Sequence, residues 1–291
     1  MKEYEELRFD DDFMFCKILQ ENEDLCKELT ELIIGRRIGT IVRTDKQKAI
    51  KMTADGHGVR FDVYFEDDEQ RVYDIELQRT DTLELPLRSR YYQGMIDLEY
   101  LEAGRKYKEL PDSYIIFLCT FDLFKLGYHK YSFVPCCREV EDLKLTDGTE
   151  RVFICAGGDK KDVSDDMKVF IDYMVGKAAN SNLTSRIDMK VKEAIEKRFW
   201  RKEYMTFKEQ MDQEFNRGIE QGIEQGIELG TDKHLIELIC KKLKKDKNIN
   251  IIAEEVEEPI EKVKGICDIA AGFAPDYDVE KIYEAMSSKK T

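Results

Sequence analysis

The period of the hydrophobic positions changes several times along the chain, and each change marks an element. Phe13, Phe15, Ile18 and Leu19 follow three candidate N-caps, Asp10, Asp11 and Asp12, at near-helical spacing, which predicts a first helix. Leu25, Leu29, Leu32 and Ile33 predict a second helix, ended by Gly35. IGTIVRT then predicts a short strand, and GVRFDVYFEDDEQRVYDIELQR, residues 58–79, predicts two more joined by an acidic turn around 67–70. Residues 87–101 return to helical spacing, with Tyr91, Met95 and Leu98 on one side and Pro86 in the first turn. SYIIFLCTF is continuously apolar, the pattern of a strand buried on both faces. The order so far is helix, three strands, helix, strand.

Beyond it, KYSFVP and RVFICA are short strand candidates separated by turn residues such as Asp147 and Gly148, and from Val163 the pattern is helical. A compact domain is expected over 1–215. RGIEQGIEQGIELG, within a segment 216–231, places Gly218, Gly222, Gly226 and Gly230 in a four-residue register with Ile219, Ile223 and Ile227. On a helix this makes separate glycine, isoleucine and glutamate stripes; the glycine stripe permits close approach of a second helix. The alternative is a weakly helical linker, because each glycine costs about 1 kcal/mol in a helix interior. Residues 232–291 suggest a small helical module, with Asn248 or Asn250 capping its middle helix. Glu255, Glu257, Glu258 and Glu261 near a would-be recognition helix repel phosphates, which favours an interaction module over a DNA reader.

With 291 residues and 42% apolar content, the chain can bury a sizeable core. No apolar run approaches a membrane span, so a soluble cytoplasmic protein is expected. Eight cysteines are scattered without CxxC spacing, several inside apolar runs, and are expected to be reduced core residues. A net charge of −14 counts against non-specific coating of nucleic acid and confines any DNA contact to local basic stretches. Such stretches contain Arg36, Arg37, Arg43, Lys46, Lys48 and Lys51, then residues 186–202, then 241–247.

The hairpin at 58–79 carries the candidate chemistry. Side chains alternate along a strand, so Asp74, Glu76 and Gln78 share one face, and Asp62 lies opposite the face of Phe61, Val63 and Phe65. Pairing can place Asp62 beside Glu76. Two carboxylates held together repel unless one takes a proton or a cation lies between them. Magnesium suits such a pair because it is held by one or two carboxylates, and the Leu77 carbonyl could add an oxygen. A solvated sheet face produces the same alternation, and periodicity alone leaves both readings open.

This strand order, with Asp62 on the second strand and Glu76-Leu77-Gln78 on the third, resembles the core of the PD-(D/E)xK nucleases. It is most similar to their bacterial recombination-promoting nuclease and transposase branch. DDFMFCKIL, the hairpin, LPLRSRYYQGMIDL, IIFLCTFDLF and the Gly-Ile-Glu repeats carry the likeness, over roughly residues 5–230. The resemblance implies an α/β fold with a restriction-endonuclease-like αβββαβ core, a mixed central sheet flanked by helices, and a helical C-terminal extension. It also implies an Mg2+-dependent DNA endonuclease, with Mn2+ as a substitute, linked to recombination or a mobile element. Asp62 and Glu76 would match the metal-binding acids, and Gln78 falls where lysine is usual. Asp12 would be the acid contributed by the first helix, with Asp11 next after it; Arg88 and Arg90, near the start of the following helix and close in sequence to the hairpin, suit phosphate contacts. Glutamine carries no charge to the transition state. The alternative is therefore a weakly active or inactive nuclease-fold scaffold that binds DNA or protein. A homodimer through 218–230 is a further expectation.

Overall fold

A computed structural model describes residues 2–45, 49–50, 59–101 and 106–287, in two compact units that divide after Met205. The first unit opens with α1 (Asp12–Glu21) and α2 (Glu23–Ile34). Strand β1 (Ile41–Asp45) follows, then the short pair β2 (Ala49–Ile50) and β3 (Val59–Arg60), and the hairpin β4 (Val63–Asp67) and β5 (Val72–Gln78). Helix α3 (Leu85–Tyr100) leads to β6 (Ser113–Cys119), β7 (Lys130–Phe133), β8 (Thr149–Cys155), α4 (Asp165–Met174) and α5 (Asn182–Glu196). Helix α6 (Arg198–Leu243) begins in this unit. Gly35 closes α2 with a φ of 83° and donates its N–H to Glu31, the left-handed ending that glycine adopts without a Cβ penalty.

Among the described residues, six strands form one mixed sheet in the order β1-β4-β5-β6-β8-β7. β5, β6 and β8 are parallel and central, and α3 is the crossover that parallel neighbours require. The register aligns Glu76 with Phe117 and Phe153, and Gln78 with Cys119 and Cys155. Tyr64, Val72, Ile115, Phe117 and Phe153 pack with Leu85, Tyr92, Met95 and Ile96 of α3. Phe117 and Phe153 stack at 5.4 Å. Val63, Phe65, Tyr73, Ile75 and Leu77, at the alternate positions, are also buried. Helix α1 contacts β4, α2 and α5, and α4 packs against α2 and α5. Both faces of β5 are therefore covered, and a plain solvated sheet face does not describe this hairpin.

Two details differ from the sequence pattern. A bend at Asp62 breaks the alternation between β3 and β4, so Phe61 packs with Tyr64 and Tyr92 instead of sharing the face of Val63 and Phe65. Helix α3 is also turned from its expected phase. Tyr92, Met95 and Ile96 face the sheet, whereas Tyr91 and Leu98 are exposed. Apolar residues surround this helix, so polar anchors such as Gln93 to Ser113, at 2.8 Å, help set its rotation.

The second unit takes up the rest of α6, then α7 (Ile249–Val256), α8 (Ile260–Ala270) and α9 (Val279–Ser287) around Ile236, Ile239, Ile252, Val263, Ile266 and Ile282. Asn248 caps α7 by accepting the N–H of Ile251. The glycine repeat is helical and lies wholly inside α6; Ile219, Ile223 and Ile227 are exposed, and a Cβ at any of its four glycines would meet open space. Much of the local basic charge forms internal ion pairs. Arg186 pairs with Asp24 and Glu28, Lys242 and Lys247 with Glu255, and Arg43 with Glu66. Lys46, Lys48 and Lys51 lie outside the described residues. No described helix is long and apolar enough to cross a membrane.

Candidate active site

The bend that takes Asp62 out of the ladder also creates the site. Its backbone N–H donates to Glu76 Oε1 at 3.0 Å, and its carboxylate Oδ2 accepts the N–H of Leu77 at 3.1 Å. The two bonds run in opposite directions across the hairpin and hold the acids as neighbours. From α1, Gln20 Nε2 donates to the Asp62 carbonyl at 2.7 Å and fixes the bend from its other side.

Burial dominates the electrostatics. Glu76 is 2% exposed, and its pKa is pushed up to about 8, first by desolvation and then by the Asp62 carboxylate; the Asp62 N–H and Arg88 oppose the rise. Asp74, two residues earlier on the same strand face, has no exposed surface, and its carboxyl group hydrogen-bonds that of Glu76. Burial, Glu76 and Asp62 raise its pKa well above the ordinary carboxylate range, against Arg88. The sequence places Asp74 on this face through its two-residue spacing from Glu76, but spacing does not reveal that the group is sealed.

Arg88 sits inside this cluster. Its guanidinium donates to Glu76 Oε2 at 3.3 Å, Gln78 Oε1 at 3.0 Å and the Tyr92 hydroxyl at 2.7 Å, and it lies over the rings of Tyr92 and Phe117. Tyr92 in turn donates to Glu76 Oε2 at 3.5 Å, and its pKa is raised by burial and by Glu76. Arg88 and Tyr92 meet because residues four apart share a helix face. Arg90, two positions from Arg88, is exposed and does not join the cluster. Gln78 turns its amide nitrogen to the Leu77 carbonyl at 2.9 Å, so that oxygen already accepts one hydrogen bond.

The three N-terminal acids separate. Asp11 is buried and held by Lys2, the Arg8 N–H and Arg79, at 2.8, 2.9 and 2.7 Å. Asp10 pairs with Arg8. Asp12 begins α1 with an exposed residue surface, yet surrounding protein raises its pKa, with Arg79 opposing. Because Arg79 directly follows Gln78, its bond to Asp11 ties the start of α1 to the end of β5. No hydrogen bond joins Asp12 to Asp62 or Glu76 among the described residues.

Among the described residues no three His, Cys, Asp or Glu side chains converge as a ready-made metal cage. The donors nevertheless suit a hard cation. Asp62, Glu76 and the Leu77 carbonyl are all oxygen donors. His129 bonds Asp162 and Lys168, and all eight cysteines are free thiols.

Comparison with known proteins places this geometry in a lineage. The profile of a family described as PD-(D/E)XK nuclease family transposase matches residues 10–221, which include Asp12, Asp62, Glu76, Gln78, Arg88 and the first glycine of the repeat, Gly218. No curated protein and no solved structure matches the chain. Nucleases of this kind act on DNA and generally use divalent metal ions. A mixed six-stranded sheet flanked by helices, with a helical C-terminal region, agrees with the restriction-endonuclease-like fold. By that match, the chain belongs to the PD-(D/E)XK nuclease family transposases.

Proposed function

We propose that this protein is a magnesium-dependent deoxyribonuclease, with manganese as a substitute ion, which hydrolyses DNA phosphodiester bonds in recombination or for a mobile element. The observation that carries the reading is the reciprocal hydrogen bonding of Asp62 and Glu76 across a covered hairpin. Asp62, Glu76 and the Leu77 carbonyl would hold the ion, and Asp12 would add an acid from the start of α1. When bound, a divalent ion lowers the pKa of water and neutralises charge on a phosphate.

The chain's own side chains supply the rest. Gln78 orients a water through its amide but carries no charge and releases no proton near neutral pH. Arg88 contributes a fixed positive charge beside Gln78 where lysine would have stood, and Tyr92 holds that guanidinium in place. Arg90, on the exposed side of α3, suits contact with a phosphate outside the cluster. Residues 1–215 form the nuclease-like domain in this reading, 232–291 a separate helical module, and 218–230 a surface for pairing two chains.

The test is cleavage of supercoiled plasmid and of single-stranded DNA in magnesium, manganese or EDTA, by the wild-type chain and by Gln78→Lys. Metal-dependent cutting by the wild type is the expected result. Cutting confined to Gln78→Lys would replace the enzyme with a nuclease-fold scaffold that has lost its water-activating group.

A further inference from the structure

The connection from β5 to α3, residues 79–84, is anchored at both of its ends in the acid site. Arg79 follows Gln78 and bonds Asp11 at 2.7 Å, and Arg88, early in α3, donates to Gln78 and Glu76. Between these anchors Leu83 has a φ of 61° and is 81% exposed. In the left-handed conformation the Cβ of a leucine crowds the following carbonyl oxygen. A turn through the Asp81 side chain holds it there, with the Leu83 N–H donated to Asp81 Oδ1 at 2.8 Å. Glycine or asparagine would make this turn with less strain, and Leu85, two residues on, already anchors the connection in the core. A strained and exposed leucine at the margin of the acid site therefore serves something other than folding.

The apolar surface continues along α3. Leu87 and Tyr91, four residues apart on one helix face, are exposed, and the exposed Arg90 lies beside them. Two occupants suit such an edge, a second protein chain or the bases of DNA. Continuity with the acid site favours DNA: the chain's family acts on DNA, and DNA held at Asp62 and Glu76 also meets the helix that carries Arg88. Asp81 and Glu84 flank Leu83 in the chain and repel phosphate, so a contact at Leu83 is with uncharged bases. Apolar side chains that enter a base step unstack it and bend the duplex. Unstacking is easiest where pairing is already broken.

We propose that Leu83, backed by Leu87 and Tyr91, enters the base stack beside the scissile phosphate, so that the preferred substrate is DNA with a mismatched or unpaired step at that position, an inference that rests on the reading of Asp62 and Glu76 as the centre of a DNA-cutting site. Leu83 sets specificity in this scheme and takes no part in the chemistry. Arg90 adds affinity for any DNA backbone and no preference among steps.

The experiment is fluorescence anisotropy of the full-length protein with two short duplexes, one fully paired and one with a central mismatch beside a 2-aminopurine base. Wild type, Leu83→Asn and Leu83→Met are compared in EDTA and, each in a Glu76→Gln background that does not cut, in Mg2+. Asparagine accepts the left-handed turn and removes the apolar group, so Leu83→Asn should melt no lower than the wild type; methionine keeps an apolar side chain. Wild type and Leu83→Met are expected to bind the mismatched duplex about tenfold more tightly than the paired one, and to raise the 2-aminopurine signal as the base leaves the stack. Leu83→Asn is expected to lose both effects while its affinity for the paired duplex stays within about twofold of wild type. Equal mismatch preference in wild type and Leu83→Asn would overturn the inference and leave the DNA-cutting reading in place, as would a wild type that binds the two duplexes equally. Binding of neither duplex under either condition would overturn that reading and this inference together. A two-chain species without mismatch preference, reduced to one chain by Leu83→Asn in light scattering, would assign the edge to a second copy of the protein instead. If Leu83→Asn melts early, Leu83→Gly carries the same comparison, with the same result required.

Discussion

Replacing Glu76 by glutamine should stabilise the cation-free protein at alkaline pH. The unfolded glutamate releases its proton near 4.5, and native Glu76 keeps its proton up to about 8. Between these values the native state binds more protons than the unfolded state, so stability falls as pH rises through the window. At about 1.4 kcal/mol per pH unit, the accumulated penalty reaches about 5 kcal/mol by pH 8. Glutamine removes that penalty and keeps an oxygen for the Asp62 N–H. It loses the charge-assisted bond from Arg88, which costs about 2–3 kcal/mol. The net gain expected at pH 8.5 is about 2–3 kcal/mol. At pH 5 the penalty is mostly absent, and the variant should be the weaker of the two. Urea denaturation in EDTA at both pH values reads this crossover, and Trp200, the single tryptophan, reports the first unit. A variant weaker than wild type by the same amount at pH 5 and pH 8.5 would refute the reasoning.

Three other substitutions probe separate parts of the account. Arg88→Ala leaves Glu76, Gln78 and Tyr92 without their shared donor, which should cost about 2–3 kcal/mol in urea denaturation; losing the guanidinium should also raise the Glu76 pKa further and extend the pH window upward. Asn248→Ala removes the cap of α7, worth about 1 kcal/mol, and should speed amide hydrogen exchange in that helix roughly fivefold. Ile223→Glu in the full-length chain should convert a two-chain species to a single chain in light scattering, because Ile223 lies in the exposed stripe of α6; an unchanged mass would remove the pairing proposal.

The elements that were legible in the sequence are those whose signal is local. The apolar run 114–119 reads as a doubly covered strand because both of its faces are apolar, and Gly35 marks the end of α2 because only glycine adopts that turn readily. The Asp62 and Glu76 pairing follows from hairpin alternation, although the bend at Asp62 does not. Side-chain rotation about α3 was not legible. Leu87, Tyr91 and Leu98 are as apolar as the residues that face inward, and the phase depends on contacts made only after β6 is in place. That phase takes Arg88 into the acid cluster and turns Arg90 to solvent. The complete burial of Asp74 was equally hidden, because it depends on what covers the strand face in three dimensions.

The most direct measurement is plasmid cleavage by Glu76→Gln and wild type after both are stripped with EDTA and reloaded with Mg2+ or Mn2+, with folding of each verified in the same buffer. The account predicts that reloading restores cutting to the wild type and not to the variant, even at pH 8.5 where the variant is the more stable protein. Equal cleavage by the two would contradict the assignment of Asp62 and Glu76 as the centre of a metal-dependent nuclease.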